Sequence, residues 1–459
     1  MTKQRLRVAL ATGSILAMTA LSACSSGTAP QASAEFDPEA DVTITVGDMP
    51  KADKPEELAR FKERIEEFEA ANPHITVEGS TETWDAQTFQ AKLTGGTLPT
   101  VMGVSLTYGH ELIARKQVPD MTPYLEELDM LDDLNPLALA NVQDAAGLTY
   151  AVPTGLFSVG LAYNRAIFEQ AGLDPDAPPT TWDQVREYAK TISEKVPGVA
   201  GYAQLTTNNT GGWMLTTMTY SMGGRIQSAD GTKSEVGEAT QEALQLLHDM
   251  RWEDDSMGSQ FLYDQDQARK EFAAGKIGMI MQAPDAYHHA IFNYGMDPAD
   301  YGEGELPQAN GVNGTLTGGT LKLFNTKATP NQLFAALKWI KYYDFDQYYN
   351  QELAVANAKA TAASKSPVGM PGLPPVAPEI DQRYLGWIAD SINVPRDQFS
   401  GYVDSTLDLI PEPVNATQQI YAALDPVVQK ILTDENADVA AAVKDASATV
   451  DMLTAQASR

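Results

Sequence analysis

Apolar positions recur along this chain with two alternating periods, and the alternation predicts the fold class. Val42-Thr43-Ile44-Thr45-Val46 has the period of two of a strand. From about Pro55, Leu58, Phe61, Ile65 and Phe68 fall on one face of a helix, with acids and bases on the other. Asn72-Pro73 stops that helix, and Ile75-Thr76-Val77 reads as the next strand. Strand, helix and strand at this spacing make a βαβ unit, which implies a parallel sheet with covered faces.

The alternation continues toward the C-terminus. A helix over 89–93 ends at Gly95-Gly96 and precedes an apolar strand over 101–106. Residues 147–153 read as a short strand running into Pro153, and 159–163 as another. Thr181 and Gln184 match a capping box for a helix that carries Val185, Tyr188, Ala189 and Ile192. Helices are expected over 238–252, 268–274 and 330–343, a buried strand over 278–281, and a mostly helical segment over 418–453. No tandem repeat is present, which disfavours a solenoid. The pattern is α/β, and the length exceeds what one core usually fills, so two domains are expected.

The N-terminus changes the picture from fold to location. Lys3, Arg5 and Arg7 precede an apolar stretch from Val8 to Leu21 that is too short to cross a bilayer. Leu21-Ser22-Ala23-Cys24 resembles the bacterial lipobox: small residues suit a signal peptidase, and the thiol that follows can be acylated. Residues 1–23 are therefore expected to be a lipoprotein signal peptide, Cys24 the lipidated residue, and 24–40 a flexible Ser/Ala/Gly/Pro tether. The expected location is the outer face of the cell membrane. Cys24 is the sole cysteine, which excludes disulfides and cysteine zinc sites. The net charge of −29 becomes more negative when the three leader cations leave, which argues against nucleic acid as a partner.

No enzyme or metal motif survives inspection. Gly223-Gly224 and Gly318-Gly319 lack the Lys-Ser/Thr of a phosphate loop. His288-His289 are adjacent and so diverge on a helix, where they are expected at the surface. Asp264-Gln265-Asp266 lacks the Gly and terminal Glu of a calcium loop. No metal, cofactor or catalytic residue is expected.

In this order the segments resemble the extracellular solute-binding proteins of ABC importers, the group that contains the maltose-binding protein. The resemblance rests on Phe68-Glu69-Ala70-Ala71-Asn72-Pro73-His74-Ile75-Thr76-Val77, Tyr150-Ala151-Val152-Pro153 and Leu161-Ala162-Tyr163-Asn164-Arg165. Pro179-Thr180-Thr181-Trp182-Asp183, Phe272-Ala273-Ala274-Gly275-Lys276-Ile277-Gly278-Met279, Gly318-Gly319 and the helix of Trp339 complete it. It implies the two-lobed type II periplasmic-binding-protein fold, with crossing strands and a ligand in the cleft between the lobes. By analogy, 41–155 with 318–362 form the N-terminal lobe, and 156–317 with 363–459 the C-terminal lobe. The function it implies is capture of a carbohydrate outside the membrane for ABC permease subunits, without catalysis. Two other readings remain at this point: a surface lipoprotein glycosidase, and the same fold holding a non-sugar polar ligand.

A sugar cleft wants aromatic rings for C–H faces and carboxylates or amides for hydroxyls. Asp48, Trp84, Asp85 and Tyr108 follow first-lobe strands, where ligand-facing strand ends are expected. Thr154, Phe157 and Gly318 flank the crossing. Asn209 and Trp213 open a second-lobe helix, and Trp387 follows the Pro-rich stretch. Asp285 stands where many relatives place a Trp, so a hydrogen-bonding carboxylate is expected there, with Tyr287 supplying a ring. Trp182, Trp252 and Trp339 sit on helical faces and are expected in the core.

Overall fold

The computed structural model describes residues 35–85, 88–309, 311 and 313–457; Cys24 and the signal segment lie outside them. Phe36, expected within the tether, packs against Tyr124 and Phe334 with centroids 5.0 and 4.6 Å apart. The Asp37 amide donates to Asn331 Oδ1 at 2.8 Å. The folded body therefore begins at Phe36 rather than at 41, because an aromatic ring next to an apolar wall gains by docking on it.

The strands are β1 (Val42–Val46), β2 (Ile75–Gly79), β3 (Val101–Ser105), β4 (Val152–Ser158), β5 (Gly160–Asn164), β6 (Ala200–Ala203), β7 (Ile277–Gln282), β8 (Tyr301–Gly304), β9 (Thr315–Phe324) and β10 (Leu409–Pro411). They form two sheets, β10-β9-β3-β1-β2 with β4 also on β9, and β6-β7-β5-β8. The expected parallel sheet holds for β1 with β2 and β3. It fails where β9 enters: β9 runs antiparallel to β3 and β4, although β10 lies parallel to β9, and in the second sheet only β6 and β7 are parallel. A strand returning from another lobe enters without the βαβ crossover that enforces parallel pairing.

Local chemistry explains the helices. The helix Pro55–Ala71 opens with Pro at its first turn, carries Glu56 and Glu57 there, and buries Phe61 and Phe68. At Trp182–Lys195 both halves of the capping box form: Thr181 Oγ1 accepts from the Gln184 amide at 3.3 Å, and Gln184 Oε1 from the Thr181 amide at 3.2 Å. Thr329 and Gln332 make a second box before Pro330–Ile340.

The buried apolar clusters fall into two lobes, and two strands join them. Leu156 and Leu321 pack in the first lobe, whereas Val159, Leu316 and Ile410 pack in the second. β4 and β9 thus cross between lobes, with β10 alongside β9. The chain does not leave the first lobe for good at 363. Val376 and Ile380 bury into the first-lobe core, and Val368 and Ile388 form a small cluster with Ala354 and Ala358. Second-lobe packing resumes at Val394. The Pro-rich stretch over 366–378 packs mainly on the first lobe, through Val368, Leu373 and Val376, while Met370 reaches the second-lobe core.

Candidate functional site

A cavity of about 600 Å³ lies where the two lobes meet. Its floor is the crossing pair, with Gly155, Leu156 and Phe157 of β4 and Gly319 and Thr320 of β9. The second lobe contributes Thr210, Trp213, Gln265, Ala283, Pro284, Asp285 and His288. Pro367, Met370, Pro371 and Gly372 close the far side.

Each ring in the cavity is held by a backbone device. Phe157 pairs with Gly318 across β4 and β9, and a Cβ at 318 would fall 2.7 Å from the ring's Cζ. Gly318 therefore supports the ring from beneath, and only glycine leaves that space. Trp213 sits in the first turns of the helix Thr210–Ser221, entered through Asn208 and Asn209 at φ of 56° and 70°. Asp425 accepts from the amides of Asn209 and Gly212, both at 2.8 Å, and so caps that helix from another segment. Burial raises the Asp425 carboxyl above the usual range, and these amide donors oppose the shift. An added side chain at Gly212 would overlap the Tyr421 carbonyl, so the glycine lets the helix Thr417–Thr433 approach closely.

Asp285 presents its carboxylate to the cavity, with 61% of its side chain exposed. Arg269 Nη2 donates to its Oδ2 at 2.7 Å. Of the expected contacts, the structure brings Phe157, Trp213 and Asp285 together around one space.

The other expected contacts stand elsewhere, for identifiable reasons. Asp48 accepts from the Gly103 amide at 2.7 Å and lies 3.4 Å from Lys322 Nζ, which ties β1 to β3 and β9. Asp85 Oδ1 accepts from the amide and hydroxyl of Thr88, as a turn cap. Tyr108 is buried beside Phe89 and Trp84, and that burial raises its phenol above the usual value. Trp84 is half-buried on the same first-lobe cluster. Asn209 donates its side-chain amide to Gln418 Oε1 at 3.1 Å. Thr154 stands 3.3 Å from Thr320 Oγ1, beside the floor. Trp387 packs on the Val368/Ile388 cluster under the Arg383 guanidinium.

Tyr287 is the clearest departure. It is fully buried among Tyr301, Phe399 and Phe292, so it supplies no ring to the cavity. Burial pushes its phenol up to about 12. Conversely, His288, set aside as a surface residue, lines the cavity: adjacent residues on a helix point apart, and here one of the two points inward. Met370 and Pro371, not among the expected contacts, line it as well. Among the described residues, no group of His, Cys, Asp and Glu is arranged to hold a metal, and no helix is long and apolar enough to cross a membrane.

The profile of the bacterial extracellular solute-binding protein family matches residues 51–348, and the chain belongs to that family. A Brucella abortus protein named as a binding protein is 25% identical over 229 residues, covering 49% of this chain and 54% of that protein. The chain thus spans about half the length of such relatives. Among solved structures, the cyclic alpha-maltosyl-1,6-maltose binding protein of Arthrobacter globiformis superposes with a TM-score of 0.67 at 21% identity, over 90% of this chain and 99% of that one. UgpB from Mycobacterium tuberculosis, in complex with glycerophosphocholine, gives a TM-score of 0.69 at 17% identity, over 91% and 100%. These likenesses show the two-lobed periplasmic-binding-protein fold.

Proposed function

We propose that this protein is the substrate-binding component of an ABC importer and that its ligand is a sugar or oligosaccharide held between the lobes. The observation that carries the reading is the pairing of Phe157 and Trp213 with Asp285, Thr210, Gln265 and Thr320 around one cavity. Pyranose rings offer apolar C–H faces to such rings and a fringe of hydroxyls to such polar groups. The size of the space is within the range of small-molecule sites.

The mechanism follows from the connections. Small torsional changes in the crossing strands swing rigid lobes together, and ligand touching both walls favours the closed form. A permease that recognises that form receives only loaded protein. Cys24 is proposed as the lipid anchor, with the segment before Phe36 as its tether. A single acyl chain binds marginally, so a diacylglyceryl group is expected there.

Thermal denaturation of the mature protein against an oligosaccharide panel at millimolar concentration tests the ligand class. Ligand at 100 times its Kd adds about 2.7 kcal/mol, which raises the melting temperature visibly. A panel of mono-, di- and trisaccharides that leaves the melt unchanged contradicts the reading.

A further inference from the structure

Resting on the reading of the cavity as a carbohydrate site, we propose that Asp285 determines specificity by admitting neutral polyhydroxyl ligands and rejecting their phosphate esters, with Arg269 as its positioning residue. The geometry is asymmetric. Asp285 Oδ2 is bound to Arg269 Nη2, while Oδ1 has no hydrogen bond within the described residues. The free oxygen belongs to an exposed carboxylate on the cavity wall, where a ligand hydroxyl can donate to it.

Arg269 is built to hold this arrangement rather than to meet ligand. It lies on the helix Gln265–Ala273, is 8% exposed, and is not among the lining residues. Its Nε and Nη2 both stand 3.4 Å from Gln282 Oε1, on the fully buried strand β7. The planar guanidinium is thereby fixed between a strand and the mouth of the cavity. Its charge is directed to Asp285, on the cavity wall.

No lysine or arginine lines the cavity among the described residues. A phosphate ester would bring an acceptor-only, charged group to a wall whose exposed carboxylate is also acceptor-only. Like charges facing one another across the cavity repel; Arg269 is engaged behind Asp285 Oδ2, which leaves His288 as the lining side chain able to carry positive charge. A neutral polyol meets the same carboxylate as a donor and gains a charge-assisted hydrogen bond.

Isothermal titration with matched pairs tests this: maltose against maltose 1-phosphate, trehalose against trehalose 6-phosphate, and glycerol against sn-glycerol 3-phosphate. The wild-type protein is expected to bind at least one neutral sugar, and to bind its phosphate ester at least tenfold more weakly. Asp285→Asn keeps the size and removes the charge; it is expected to weaken the neutral ligand about tenfold and to narrow the gap to the ester. Arg269→Lys retains a cation behind Asp285 without the fork, and is expected to lower affinity while keeping the preference for the neutral partner. A folded wild-type protein that binds an ester as tightly as its neutral partner overturns the inference alone. So does an Asp285→Asn protein whose selectivity equals that of wild type. Failure of every sugar and ester to bind removes the carbohydrate reading, and this inference with it.

Discussion

Trp213 and Tyr287 are both second-lobe aromatics beside the cleft, yet their surroundings assign them opposite roles. Trp213 is partly exposed and faces the cavity; Tyr287 is packed on three rings, and its hydroxyl is buried without a hydrogen-bond partner. Trp213→Ala should reduce ligand affinity tenfold or more in titration calorimetry. Tyr287→Phe removes a desolvated hydroxyl that gains nothing, so affinity should stay within twofold of wild type. Such a group costs about 1–3 kcal/mol, so the melting temperature should hold or rise by roughly 2 °C or more. Residue roles of this kind were only partly legible in the sequence. Asp285 and Phe157 announce themselves by following a strand or lying at a crossing. The burial of Tyr287 depends on Phe399, more than a hundred positions away, and the carboxylate of Asp48 is engaged by a backbone amide on β3.

Between residue and lobe, short elements set the geometry of the cleft. The close approach at Gly212 fixes the helix that carries Trp213. Gly212→Ala should cost about 1–3 kcal/mol through overpacking, seen as a lower melting temperature, and should weaken ligand through the displaced ring. Next to β10, Glu412 accepts from the Tyr421 hydroxyl at 2.9 Å, and burial pushes its carboxyl up to about 7. The sign follows from linkage. The folded state holds a proton that the unfolded chain releases near pH 4.5, so this group's contribution is fully present below that pH. It is lost as pH rises through about 7. Melting curves from pH 5 to 8 should therefore show a decline that Glu412→Gln flattens. A wild-type slope identical to that of Glu412→Gln would contradict it. At this scale the sequence was most readable. The Thr181 box and the helix Glu238–Trp252 depend on neighbours a few positions apart. The antiparallel entry of β9 was not readable, because nothing local encodes which edge a returning strand joins.

For the whole molecule, two lobes joined by crossing strands predict a change of shape rather than of secondary structure. Small-angle scattering should show the radius of gyration falling on addition of saturating sugar, while far-ultraviolet circular dichroism stays constant. The proposed anchor makes a separate prediction: Cys24→Ala should move the protein from the membrane fraction to the medium, and a variant that stays membrane-bound would refute the lipid. Family membership was legible as soon as the ordered strings were recognised, because they span both lobes. The lobe boundary near 392 was not, since Pro and Gly density in 366–378 marks a turn-rich wall as readily as a hinge.

The most direct measurement is a crystal structure of the mature protein with a bound sugar from the thermal panel. The account predicts a ring against Trp213 or Phe157 and a hydroxyl within hydrogen-bond distance of Asp285 Oδ1. A sugar bound elsewhere, touching none of these three residues, would contradict it.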